Sequence, residues 1–103
     1  MGWASIYIQK LQQGETVVFR PRGGSMQGRI ESGQRCTVSP IQEAQLDTLK
    51  VGDIVLCQVR SAEYLHLIKA IQNKEFLIGN NRGGTNGWIR ESAIFGKLIK
   101  VEN

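Results

Sequence analysis

Two strongly apolar segments lie close together in the second half of the sequence, and they constrain the fold more than any other feature. The first is "DIVLCQV", residues 53–59, and the second is "YLHLIKAI", residues 64–71. Both carry apolar residues at successive positions, as expected for strands that are buried on both faces. The polar stretch "RSAE" between them, residues 60–63, is typical of a hairpin turn. The sequence therefore predicts a β-hairpin with neighbours on both sides.

The remaining apolar patterns predict further short strands and one helix. "ASIYIQKLQQG", residues 4–14, is apolar at Ala4, Ile8 and Leu11 and ends in a glycine, which favours a short amphipathic helix. "IQEAQLDTL" favours a helical turn, and "NNRGGTNG" has the composition of a loop. The other predicted strands are residues 15–20, "QRCTVSP" ending at Pro40, "EFLIG", and one or two strands within "WIRESAIFGKLIKV".

These elements predict a single domain that spans residues 1–103, because a chain of this length buries one core. The expected fold class is mainly β, with a short N-terminal helix. Strands that are apolar on both faces favour a folded-over sheet or a partly open β-barrel.

A glycine-flanked serine stands out in "RPRGGSMQGRIESGQR", residues 20–35. Two glycines precede Ser25, and a methionine follows it. Gly-Gly-Ser most often marks an ordinary turn. Such a turn can also expose a nucleophilic hydroxyl, provided that a base lies within reach.

Lys69 is the base that the sequence suggests for this serine. Strand alternation places Lys69 on the same face as Leu65 and Leu67, and desolvation on an apolar face lowers an ammonium pKa. A neutral lysine can act as a general base in a serine-lysine pair. The alternative is an edge-strand lysine whose amine reaches water. Alternation puts His66 on the opposite face, so we interpret it as a packed or half-exposed histidine.

The order of these motifs resembles that of the signal peptidase and LexA-type repressor superfamily. "GSMQGRIESG" resembles the nucleophile box, and "LKVGDIVLC" resembles the following box, in which Gly-Asp opens a strand. "YLHLIKAI" resembles the strand that carries the catalytic lysine. "IGNNRGGTNG" resembles the Gly-Asp-Asn-Arg box, and "AIFGKLIKV" resembles the closing strand. The five boxes cover residues 17–101.

The resemblance implies a fold of the LexA C-terminal and signal peptidase type, together with roles for individual residues. Ser25 would be the nucleophile, with its backbone N–H facing the oxyanion, Lys69 the general base, and Thr85 the hydroxyl that orients the lysine. An extended substrate would lie beside "VFRPRGG" as an added strand. The residues of this expected substrate groove are Arg20, Pro21, Arg22, Gly23, Gly24 and Met26.

The net charge and the two cysteines indicate which partners and which cellular compartment the sequence favours. The net charge of +4 permits nucleic-acid contact, with Arg20, Arg22, Arg29 and Arg35 near the serine, but the spread of basic residues favours a solvated surface. Cys36 and Cys57 lie in apolar stretches, which favours reduced, buried thiols in a cytoplasmic protein. We predict no metal site and no cofactor.

The resulting hypothesis is a serine-lysine endopeptidase that cleaves a peptide bond in another chain, away from a membrane. Self-cleavage is not expected, because the Ala-Gly and Cys-Gly dipeptides that LexA-type proteins cut do not occur. Two alternatives remain open. One is a catalytically silent module on the same fold that binds a peptide or a nucleic acid. The other is a small partner subunit that dimerises, or joins a larger complex, through an exposed strand edge.

Overall fold

A computed structural model describes residues 2–103. Its regular elements follow one another along the chain. They are helix α1 (Ser5–Gln12) and strands β1 (Val17–Phe19), β2 (Arg35–Pro40), β3 (Ile54–Val59), β4 (Ala62–Gln72), β5 (Glu75–Gly79), β6 (Thr85–Arg90) and β7 (Ile94–Glu102), with short 3₁₀ helices at Glu43–Thr48 and Glu91–Ala93.

The strands form one seven-stranded sheet in the order β1-β2-β7-β3-β4-β5-β6. Every strand pairing is antiparallel. Strands β1 and β6 are the two edges of this order and do not pair with each other, so the sheet is not a closed barrel. The predicted fold class is confirmed at the level of a mainly β domain with one short α-helix.

The hairpin β3–β4 lies at the centre of the sheet and is buried on both faces, as the apolar segments predict. Ile54 and Leu56 of β3 face a core that contains Leu65 and Leu67 of β4 and the buried side of α1. The intervening β3 residues face a second core. That second core consists of Leu49, Val55, Cys57, Val59, Ile68, Phe76, Ile78, Ile89 and Ile94.

Both cysteines are part of these cores. Cys36 and Cys57 are fully buried and unpaired, as predicted. Burial raises the pKa of the Cys57 thiol to about 12, because a thiolate in an apolar surrounding loses its hydration. Burial also raises the pKa of Cys36. Both residues therefore act as small apolar side chains in the core.

The segment predicted as a loop after β5 is shorter than expected. Thr85 pairs with Gly79 and Gly87 pairs with Ile78, so the last residues of "NNRGGTNG" already belong to β6. A glycine-rich composition predicts a loop, but cross-strand hydrogen bonds to β5 hold these residues extended. The loop proper covers residues 80–84.

Candidate active site

Ser25 lies in an irregular turn that follows β1. The amide of Gln27 donates to the carbonyl of Gly24 at 3.2 Å, and the amide of Ile30 donates to the carbonyl of Met26 at 2.7 Å. The side chains of Met26 and Ile30 are buried in the first core, whereas Ser25 is exposed. The two apolar anchors therefore fix the turn, and the serine hydroxyl projects from it.

The loop between β5 and β6 braces this turn. The backbone N–H of Asn81 donates to the carbonyl of Ser25 at 2.9 Å, and the Asn81 side chain donates to the carbonyl of Gln27 at 2.8 Å. Asn80 holds the loop itself, because its Oδ1 accepts hydrogen bonds from the amides of Arg82 and Gly84. The segment that resembles the Gly-Asp-Asn-Arg box thus supports the serine turn.

His66 is the side chain that meets the serine hydroxyl. Its Nε2 lies 3.1 Å from Ser25 Oγ, although the two residues are 41 positions apart in the chain. Its Nδ1 lies 2.7 Å from Oδ1 of Asn86, on β6. His66 sits in the middle of β4 and is only 7% exposed. Ser25, His66 and Asn86 therefore form a continuous hydrogen-bonded line.

The chemistry of Asn86 determines where the imidazole proton resides. The amide oxygen of Asn86 can only accept a hydrogen bond, so the Nδ1 of His66 carries the proton and donates it. In a neutral imidazole, Nε2 then has a free lone pair and accepts the hydroxyl proton of Ser25. This tautomer is the one that a serine nucleophile requires.

The surroundings keep His66 uncharged. Burial lowers the pKa of His66, because an imidazolium in this site loses hydration, and the hydrogen bond to Asn86 opposes the change only in part. At neutral pH the ring is therefore available to accept a proton.

The side chain that hydrogen-bonds to the Ser25 hydroxyl is His66, not Lys69. Ile68 pairs with Ile78 and Ala70 pairs with Leu77, so Lys69 is the extra residue of a β-bulge. A bulge breaks the two-residue alternation from which the serine-lysine pair was inferred. Lys69 is half-buried and its Cε lies 3.0 Å from where a Cβ on Gly79 would stand.

The Lys69 ammonium makes no hydrogen bond and no ion pair with a side chain among residues 2–103, and Lys69 does not line the cleft around Ser25. His66 is packed, as the sequence analysis interpreted it, but its Nε2 also contacts the Ser25 hydroxyl at 3.1 Å, which that interpretation did not anticipate. One sequence signal could have indicated the histidine: it is the only one in the chain and lies in the strand that resembles the base-carrying box.

A second bulge positions Asn86 beside the histidine. Gly87 pairs with Ile78 and Thr85 pairs with Gly79, which leaves Asn86 without a partner on β5. The bulge turns the Asn86 side chain toward β4. Thr85, which the resemblance suggested as the orienting residue, is exposed, and its neighbour Asn86 is the residue that contacts His66.

Ser25 and His66 open into a cleft of about 800 Å³. The segment after β1 forms one wall of this cleft, and residues 63–66 of β4 form part of the other. Five of the six expected groove residues line it, namely Arg20, Pro21, Arg22, Gly23 and Met26. Gly24 does not line the cleft and lies beside the Arg82 guanidinium instead.

The arginines near the serine do not form one patch. Arg20 and Arg22 line the cleft, and Arg20 also donates to the carbonyl of Gly33 at 2.9 Å. Arg29 donates to the carbonyl of Gly52, and Arg35 forms a 3.8 Å ion pair with Glu102. The positive charge at the cleft therefore comes from two of the four arginines.

Comparison with known proteins gives no family assignment: no protein-family model and no curated protein matches the chain. Among residues 2–103, no helix is both long enough and apolar enough to cross a membrane.

Proposed function

We propose that this chain is a serine peptidase in which Ser25 is the nucleophile, His66 is the general base and Asn86 holds the histidine in place. The observation that carries the proposal is the hydrogen-bonded line from Ser25 Oγ to His66 at 3.1 Å and on to Asn86 at 2.7 Å. A nucleophile, a base and a group that orients the base in this geometry recur in unrelated hydrolases. His66 takes the role that the sequence analysis expected of Lys69.

The acylation step follows from this geometry. Ser25 Oγ attacks the carbonyl carbon of the peptide bond, and its proton passes to His66 Nε2. The imidazolium so formed keeps its Nδ1–H bond to Asn86. When the C–N bond breaks, the Nε2 proton moves to the leaving amine, and the acyl group stays on Ser25. His66 then deprotonates a water molecule that hydrolyses the acyl-enzyme and regenerates the serine.

Backbone amides in the serine turn support stabilisation of the oxyanion. Among residues 2–103, the N–H groups of Gly24, Ser25 and Met26 donate to no acceptor of the chain. The N–H of Ser25 belongs to the nucleophile itself, and such an amide can donate to the negatively charged oxygen that develops during attack.

The substrate is proposed to be a segment of another polypeptide in extended conformation. Strand β1 pairs only with β2, so its other edge has no partner strand among residues 2–103. The segment from Arg20 to Gly23 continues from this edge to the serine and lines the cleft. A peptide added along it would gain main-chain hydrogen bonds and present a carbonyl to Ser25.

The finer fold assignment is also a proposal. We place the chain with the signal peptidase and LexA-type superfamily because its five boxes fall on the serine turn, β3, β4, the β5–β6 loop and β7, in that order. A cytoplasmic location is proposed on the basis of the two reduced, buried thiols.

Covalent labelling with a fluorophosphonate tests the proposal without knowledge of the substrate. The reagent phosphonylates an activated serine, and intact-mass spectrometry counts the adducts. We expect one adduct on the wild-type protein and none on Ser25→Ala. His66→Gln should slow labelling by at least about a hundred-fold, because general-base assistance is worth about that much or more.

Two control variants sharpen this experiment. Lys69→Met keeps the aliphatic stem beside Gly79 and should label at the wild-type rate, because His66 is the base. Ser92→Ala removes another exposed hydroxyl and should also label normally. Loss of labelling in Lys69→Met, with His66→Gln unaffected, would restore the serine-lysine mechanism. No labelling of the folded wild-type protein would favour the silent binding module.

A further inference from the structure

Three aromatic side chains that pack against one another line the cleft that contains Ser25. Trp3, Tyr7 and Phe19 all line it together with Ser25 and His66. The Tyr7 and Phe19 rings stack with centroids 4.6 Å apart, and Trp3 lies against Phe19 at 5.5 Å. Two of these rings come from α1 and its preceding turn, and the third comes from the end of β1.

Trp3 is held in place by β4. Its indole N–H donates to the backbone carbonyl of Glu63 at 3.1 Å, and the Glu63 carboxylate accepts the N–H of Ala4 at 3.0 Å. Residue 2 is a glycine, and a Cβ at this position would collide with that carboxylate. Hydrogen bonds to Glu63 therefore hold the segment before α1 against β4, which gives the Trp3 ring a defined position.

Trp3 is the ring of the three that remains exposed, because Phe19 is buried and Tyr7 is half-buried. Trp3 is 50% exposed although its ring centroid lies 5.5 Å from that of Phe19. A large aromatic ring that is fixed and half exposed within a cleft offers apolar area to a ligand. The carboxylates that line the cleft are already engaged, because Glu63 holds α1 and Glu31 accepts the N–H of Gly28 at 2.8 Å.

We propose that this cluster of three rings is a subsite for a bulky apolar side chain, aromatic or long aliphatic, of the substrate peptide. The subsite and the serine share one continuous cleft, so a peptide whose carbonyl reaches Ser25 extends over the rings. This inference rests on the proposed function, since it assigns the cleft to a peptide. It makes the enzyme selective for sequences with a large apolar residue at a fixed distance from the cleaved bond.

Peptide binding to Ser25→Ala tests the subsite separately from catalysis, because this variant cannot turn over a substrate. The probes are fluorescein-labelled decapeptides of alanine and glycine with a single phenylalanine, leucine, serine or lysine at each position in turn. Fluorescence anisotropy gives the dissociation constants. We expect phenylalanine and leucine peptides to bind about ten-fold or more tightly than serine peptides at one or two positions, from burial of one large apolar side chain.

Variants at the N-terminal helix identify the rings as the cause. Trp3→Ala in the Ser25→Ala background should abolish the preference, whereas Trp3→Phe, which keeps an aromatic ring, should retain most of it. Ile6→Ala is the matched control, because Ile6 lies in the first turn of α1, close to Trp3 in sequence, is 58% exposed and does not line the cleft. Thermal melts would confirm that each variant is folded.

The aromatic subsite and the proposed peptidase function can be refuted independently of each other. Equal affinities for phenylalanine and serine peptides, or an unchanged preference in folded Trp3→Ala, would overturn the aromatic subsite. Failure of the proposed function shows elsewhere, as absence of fluorophosphonate labelling at Ser25 in the wild-type protein.

Discussion

Replacement of Asn86 by aspartate tests the coupling between residue 86 and the histidine. The carboxylate would take the place of an amide oxygen that lies 2.7 Å from His66 Nδ1. Charges centred about 4 Å apart interact by about 4 kcal/mol at an effective dielectric constant of about 20, which corresponds to about three pH units. Partial burial of the new carboxylate offsets part of this interaction energy. We therefore expect Asn86→Asp to raise the pKa of His66 by about one to two pH units.

The assay is a proton NMR titration of the imidazole. Because the chain contains one histidine, its ring signals need no assignment. In the wild-type protein burial lowers the pKa of His66, and the variant should titrate at a clearly higher pH. The pH midpoint of fluorophosphonate labelling should move upward in parallel, because the protonated ring cannot accept the serine proton. Asn86→Gln, which keeps the amide on a longer stem, controls for loss of geometry.

The same substitution changes how stability depends on pH. In the wild-type protein the folded-state pKa of His66 lies below the unfolded value of about 6.5, so the unfolded state binds more protons in the interval between the two. The free energy of unfolding therefore falls as the pH decreases through that interval. In Asn86→Asp the folded-state pKa of His66 rises. The decrease in the free energy of unfolding at low pH therefore becomes smaller or changes sign. As the pH is lowered from about 8 to about 5.5, the free energy of unfolding of the variant should increase by about 1 to 3 kcal/mol relative to that of the wild-type protein.

A titration curve for Asn86→Asp that coincides with the wild-type curve would refute the reasoning, because a carboxylate in contact with the ring cannot leave its pKa unchanged. A lowered pKa would have the same consequence. Either result would mean that Asn86 does not orient His66 in solution.

Two further predictions concern the supports of the site. Gly79→Ala should destabilise the protein by about 1 to 3 kcal/mol in urea unfolding and slow Ser25 labelling, because the added methyl would collide with the carbonyl of Gly84 in the bracing loop. An unchanged free energy of unfolding would show that this loop can move to accommodate the methyl group without cost. Cys36 and Cys57 should resist a disulfide reagent in the native protein and react fully after unfolding, because both are fully buried and their pKa values are raised. Rapid reaction of the native protein would contradict their place in the core.

Sequence patterns alone were sufficient for the elements whose structure depends on local periodicity and composition. The hairpin β3–β4, the short helix and the buried cysteines follow from runs of apolar residues and from turn residues between them. The serine turn was also recognisable, because glycines and apolar anchors surround Ser25. Each of these features is encoded within a window of a few residues.

The partner of Ser25 was decided only by the tertiary structure. Alternation along β4 assumes a regular two-residue period, and this assumption favoured Lys69. The bulges at Lys69 and Asn86 depend on the register with β5, which is a long-range property that no local pattern records. Packing of the serine turn against β4 and the β5–β6 loop then brings Ser25 to His66 across 41 residues of chain. Local sequence specifies which residues can react, whereas strand register and loop packing determine which of them meet.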